Sequence, residues 1–147
     1  MSADPVSAFE VRACAWADAA AALRRVRHDV FVVEQRVPEM LEFDASDEAC
    51  VHALATDTAE APIGCARLLD DGHIGRVAVV RDWRRRGVGA SLMACLIERA
   101  RLRGDRGVVV NAQVAAMRFY ERLGFTPTGA TFDEAGIPHR VMTRAFR

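Results

Sequence analysis

The run Arg84-Arg85-Arg86-Gly87-Val88-Gly89 stands between an apolar, β-branched run that ends at Val80 and an apolar stripe with helical spacing. A strand that stops before glycines at the mouth of a helix leaves backbone N–H groups unpaired beside the positive end of the helix dipole. Such a terminus binds phosphate. Glycine lets the backbone approach an anion closely, and a neighbouring arginine adds charge-assisted bonds. A dinucleotide fingerprint would put Gly or Ala where Leu92 stands. A P-loop would need a lysine, and the chain has none. A nucleic-acid patch would interleave more aromatic and basic residues, whereas only Trp83 is near. A glycine-punctuated, solvated turn satisfies the same residues.

The formal net charge is zero, so the long-range attraction that dominates nucleic-acid affinity is missing and any anion site must be local. No nucleic-acid partner is expected. With 51% hydrophobic and 27% charged residues the composition is that of an ordinary globular protein. A length of 147 residues fits a single domain over 1–147, large enough to bury roughly two thirds of its unfolded surface. Cys14, Cys50, Cys65 and Cys95 lie far apart with no Cys-x-x-Cys pair, which reads as free thiols in a cytoplasmic protein with no metal. MSADPVSAFEVRA lacks the basic and apolar regions of a secretory signal. No apolar run approaches the roughly 20 residues needed to span a bilayer, so no membrane partner is expected.

The elements that must position these residues follow from periodicity. FEVRACAW, Phe9 to Trp16, alternates as a first strand, and Asp18 is placed to cap an alanine-rich helix through Leu23 and Val26, with Arg24, Arg25 and Arg27 on its wet side. VFVVEQRVPEMLEFD is ambiguous between strand and helix up to Pro38, and Glu39 to Glu48 reads as an irregular, solvated acidic loop. CVHALATDT and PIGCARLLDD form an antiparallel pair about a turn at Glu60, and Asp71-Gly72 turns the chain into HIGRVAVV. Leu92, Met93, Leu96, Ile97 and Ala100 make one helical stripe that Gly104 ends. GVVVNA reads as a buried central strand. A second stripe, Ala116, Phe119, Tyr120 and Leu123, closes at Gly124, and FTPTGATF and PHRVMTRAF form a terminal hairpin about Asp133 to Gly136.

Placed after a strand and opening a helix, Arg84-x-x-Gly87-x-Gly89 resembles the Arg/Gln-x-x-Gly-x-Gly/Ala signature of the GNAT superfamily of acyl-CoA-dependent N-acetyltransferases. IGRVAVVRDWRRRGVGASLM resembles the family's fourth strand and third helix, and RFYERLGF, Arg118 to Phe125, its tyrosine-bearing element. The likeness covers most of Ile63 to Arg147. VFVVEQ, FDASDEACVHA and FDEAGIPH are similar to segments of a small bacterial branch. The resemblance implies a single mixed, largely antiparallel α/β sheet, with a central parallel strand pair splayed at a bulge and helices on both faces. It implies acetyl-CoA as cosubstrate, no metal, and direct attack in a ternary complex by a primary amine on a small molecule or peptide. A non-catalytic acyl-CoA-binding regulator of the same fold is the alternative. A homodimer is compatible with either.

On this resemblance the backbone of Val77, Ala78 and Val79 carries the pantetheine arm as it would an added strand. Arg84, Arg85, Arg86, Gly87, Val88, Gly89 and Ala90 cradle the pyrophosphate, with Arg84 at the signature position. Gln113 stands where the family carries an asparagine, and Phe119 adjoins the donor site while packing in the core. Tyr120, the only tyrosine, matches the residue that protonates the departing thiolate; a phenol of pKa about 10 can donate to the conjugate base of a thiol of pKa about 8.5. His73 matches a catalytic glutamate of some relatives, and an imidazole of pKa about 6.5 suits proton abstraction, although an exposed hairpin histidine fits the same position. Phe31, Glu34, Gln35 and His139, from the branch segments, are expected to line the acceptor side. Glu34, His52, Asp133, Glu134 and His139 are further candidate bases.

Overall fold

The structure is a computed structural model that describes residues 8–147; Met1 to Ser7, where the leader-like features were sought, lie outside them. Seven strands form one sheet in the order β1-β2-β3-β4-β5-β7-β6. They are β1 (Phe9–Ala15), β2 (Val51–Asp57), β3 (Pro62–Leu68), β4 (His73–Val79), β5 (Gly107–Gln113), β6 (Thr126–Glu134) and β7 (Ile137–Ala145). Every neighbouring pair is antiparallel except β4 and β5. A parallel pair needs a long crossover, which α3 (Val88–Arg103) supplies. The stripe Leu92, Met93, Leu96, Ile97 and Ala100 buries α3 on one face of the sheet, against Ala53, Ile63, Leu68, Val108 and Val110 among others. On the other face α1 (Trp16–Arg27) buries Leu23 and Val26 over Leu54 and Cys65. The sheet with helices on both faces is the architecture expected.

Several local expectations fail for identifiable reasons. Trp16 opens α1 rather than ending β1, because its ring is buried beside His52 at 5.3 Å. Ala15 holds the cap position and Asp18 sits inside the first turn, with no side-chain cap bond. Arg27 is 1% exposed rather than wet. The ambiguous VFVVEQ stretch continues α1 as a π-helical turn, His28–Glu34. Glu39 to Glu48 is neither irregular nor wholly solvated: it folds into a short α2 (Glu39–Glu42) and a 3₁₀ turn (Ala45–Ala49) that bury Glu42 and Asp47. Those two carboxylates cover Arg27, which donates to Glu42 Oε1 and Asp47 Oδ1 at 2.7 Å each. The terminal hairpin turns tightly at Ala135 and Gly136, both at positive φ.

Candidate functional site

Strands β4 and β5 pair only at His73 with Val109 and Ile74 with Val110, and separate beyond. A bulge on β4 accompanies the separation: the β3–β4 register slips between Cys65 and Arg67, and Arg76 takes a φ of 52°. Bulges bend a strand away from its neighbour. A cleft of about 750 Å³ lies at the opening. It is bounded by the π-helical turn, the β6–β7 hairpin and α4 (Met117–Arg122). Among the residues singled out above, Phe31, Glu34, Gln35, His73, Val77, Val79, Arg84, Gln113, Tyr120 and His139 all line this one cleft. Ala78 is buried in the cluster under α1, and Arg85 to Ala90 with Phe119 adjoin the cleft without lining it.

The adjoining segment is the start of α3. Gly87 occupies the cap position at φ 85° and Arg85 lies at φ 63°, so the loop turns through left-handed conformations that glycine adopts without strain. No side chain caps the helix, which leaves first-turn N–H groups available to an anion. A Cβ on Gly89 would stand 3.2 Å from Cζ of Phe119, so the ring would have to give by a few tenths of an ångström to admit a larger residue. Two of the three arginines, Arg84 and Arg86, are engaged elsewhere. Arg84 donates from Nε to the Val79 carbonyl at 2.9 Å and closes a two-bond fork on Glu34 at 2.7 and 2.6 Å. The guanidinium of Arg86 lies 4.9 Å over the Trp83 ring. Arg84 thus ties the end of β4 to the π-helical turn, and its bonds hold the Glu34 carboxyl below the usual range, which makes Glu34 a weaker proton acceptor.

Across the cleft, Gln113 and Gln35 exchange amide hydrogen bonds of 3.0 and 3.3 Å, joining the end of β5 to the π-helical turn. Tyr120 is buried with its ring edge-on to Phe119 and Phe125, and burial pushes its hydroxyl up to about 12. The hydroxyl therefore stays protonated throughout the physiological range. His139 stands opposite Gln113 in the β5–β7 register and is 6% exposed. Its Nδ1 is 2.6 Å from the Ile137 carbonyl oxygen, its Nε2 3.4 Å from Glu134 Oε2, and its ring stacks on Phe132. His73, opposite Val109, has Nδ1 3.1 Å from Asp71 Oδ2. Its backbone N–H donates to Asp71 Oδ1, which helps hold that carboxyl below its usual value. His52 is away from the cleft, under Trp16, with Nε2 2.8 Å from the Asp47 carbonyl. Asp133 does not line the cleft either.

Sequence reasoning missed the wall formed by Arg67 and Arg76. Arg67 bonds both Asp44 and Asp47, and Arg76 bonds the Glu42 carbonyl from the bulge. With Arg27 these make one ion network of three arginines and three carboxylates, in which Arg67 holds the Asp44 carboxyl at about 2. Among the described residues no group of three or more His, Cys, Asp or Glu is placed to hold a metal ion. No helix among them is long and apolar enough to cross a membrane.

A sheet opened between its two parallel strands, with an uncapped, glycine-led helix beside the opening, is the architecture of an acyl-CoA-dependent acyltransferase. A model of the acetyltransferase (GNAT) domain matches residues 18–146. The uncharacterized N-acetyltransferase YjcF of Bacillus subtilis is 36% identical over 123 residues, which are 81% of this chain and 87% of that protein. The crystal structure of an acyl-CoA N-acyltransferase from Pseudomonas aeruginosa superposes with a TM-score of 0.83 at 32% identity, over 94% of this chain and 100% of that one. That of Escherichia coli ElaA gives 0.82 at 30% identity, over 92% and 99%. The chain belongs to the GNAT acetyltransferase family, whose chemistry is acyl transfer from an acyl-CoA to an amine.

Proposed function

We propose that this protein transfers an acetyl group from acetyl-CoA to a primary amine of a small molecule or peptide, by direct attack in a ternary complex. The observation that carries this reading is the splayed β4–β5 pair with the uncapped start of α3 beside it. The β4 edge that has parted from β5, at Val77 to Val79, suits the amide-bearing pantetheine arm as a strand edge suits an added strand, with the Val79 carbonyl already held by Arg84. The backbone N–H groups of Gly87 to Ala90 suit the pyrophosphate, and Arg84 holds the loop in place through Val79 and Glu34. Bound there, acetyl-CoA supplies an activated thioester. Tyr120 gives its proton to the departing sulfur, and His73 with Asp71 offers a route by which the amine's proton reaches water. The protein is read as a single cytoplasmic domain, compatible with a homodimer.

Thiol release from acetyl-CoA, measured across polyamines, aminoglycosides, amino acids and peptides, tests the reading. Acceptor-dependent release with a matching acetylated product is the expected outcome. Acetyl-CoA binding without release for any acceptor would instead favour the alternative, a regulator that reads acyl-CoA, and absence of acetyl-CoA binding would sink both.

A further inference from the structure

Resting on that reading, the geometry points to His139 as the general base that takes the proton of the attacking amine, leaving His73 as an exit to solvent. Three observations carry it. First, a carbonyl oxygen only accepts, so the 2.6 Å contact to Ile137 requires Nδ1 to carry the proton. The neutral ring then presents an unprotonated Nε2. Second, that nitrogen is accompanied at 3.4 Å by Glu134 Oε2, a carboxylate that attracts a cationic amine and stabilises the imidazolium once it forms. Third, the ring is fixed: it is 6% exposed and stacks on Phe132 with an interplanar angle of 26°.

Position separates the two histidines. His73 lies opposite Val109, where β4 and β5 are still paired, and is open to water, its side chain 41% exposed. His139 lies opposite Gln113, where the strands have parted and from which the chain runs on to Tyr120. Four residues of β5 between the two positions correspond to about 13 Å along the strand. Of the ionisable groups that line the cleft with His139, Glu134 comes from β6, Tyr120 from α4 and Glu34, paired with Arg84, from the π-helical turn; Glu42, Asp44, Arg67 and Arg76 belong to the ion network, and Asp71 lies beside His73.

The chemistry balances. An ammonium gives one proton to Nε2 and becomes a free amine, whose lone pair forms the new C–N bond as the C–S bond breaks. Tyr120 protonates the sulfur, and the second proton lost by the nitrogen restores the tyrosine. One proton remains on His139 and leaves through water, with His73 nearer the surface.

Two measurements test the assignment. The first needs no acceptor: nitrogen-15 NMR of the imidazoles in the free protein is expected to show neutral His139 protonated at Nδ1, and protonation at Nε2 would overturn the assignment whatever the substrate. The second uses the acceptor found by thiol release. His139→Asn is expected to lower kcat at least 100-fold and abolish the acid limb of the rate profile, with acetyl-CoA affinity unchanged, while His73→Asn keeps the limb. Glu134→Gln, which spares the buried ring should His139→Asn not fold, is expected to lower kcat about tenfold with acetyl-CoA affinity unchanged, because the imidazolium loses its carboxylate. A His139→Asn enzyme with a wild-type limb, or loss of the limb in His73→Asn, would remove His139 as the base while leaving acetyl transfer itself standing.

Discussion

Tyr120 belongs both to the buried core that α3 covers and to the lining of the cleft. Tyr120→Phe keeps the packing on Phe119 and Phe125 and removes the proton. Turnover is expected to fall at least about tenfold, with the acetyl-CoA dissociation constant unchanged by calorimetry; unaltered turnover would dismiss Tyr120 as the acid. The same residue has a signature in stability. Its hydroxyl is raised from 10.0 to about 12, so the folded state holds this proton when the unfolded chain has released it. Stability should therefore decline from pH 10 toward 12 in the wild type and more shallowly in the phenylalanine variant. Asp44 shows the opposite sign. Arg67 holds its carboxyl at about 2 rather than 3.8, so its contribution is complete above the ordinary value and disappears as pH falls toward 2. Urea titrations of Asp44→Asn should lack that acid slope. Deleting the Arg27 guanidinium is harsher, because Glu42 and Asp47 remain buried without it. Arg27→Met is expected to lose about 3–5 kcal/mol.

At the scale of elements, strands and the two apolar helical stripes were legible because each alternates or repeats against one core face, as Leu92 to Ala100 does. Arg27 shows where such reading stops. It lies four residues after Leu23 and one after Val26, on the buried stripe, but a guanidinium is placed on the wet face by default unless its partners are known. Those partners, Glu42 and Asp47, come 15 and 20 residues later, from a segment whose own acidity argued for solvent. Of the proposed site, the segments legible in the sequence are those where Arg84, Gly87, Gly89 and Tyr120 carry local spacing. Its acceptor half depends on contacts distant in sequence, such as Gln35 with Gln113 across 78 residues, which no periodicity encodes. Glycine positions put the packing of these elements to the test. A Cβ on Gly107 would meet the Arg144 carbonyl oxygen at 2.5 Å, so β5 and β7 must shift to admit it. Gly107→Ala should lower stability by about 1–3 kcal/mol. Gly89→Val, by contrast, displaces Phe119 at the start of α3 and should weaken acetyl-CoA binding more than it lowers the melting temperature. Equal affinity in this variant would dispose of the cradle.

For the whole molecule, zero net charge sets the terms of ligand binding. Without a global field, affinity for a polyanion must come from a local, folded arrangement, and here two of the nearest arginines are occupied by Glu34 and Trp83. Backbone N–H groups at the start of α3 are then the anion donors of the proposed site, and these exist only while the helix is folded. Acetyl-CoA should thus bind the native state alone and raise its stability by mass action, about 2.7 kcal/mol at 100 times its dissociation constant. For a chain of this size that corresponds to a rise in melting temperature of about 5–10 °C. ADP offers the pyrophosphate but no arm to lie along β4, so its shift should be smaller at equal concentration. NAD and duplex DNA should give little or none. A DNA shift as large as that of acetyl-CoA would mean that the basic loop, not the opened strand pair, recognises the ligand, and the division of labour drawn here between Arg84, the helix start and the β4 edge would have to be abandoned.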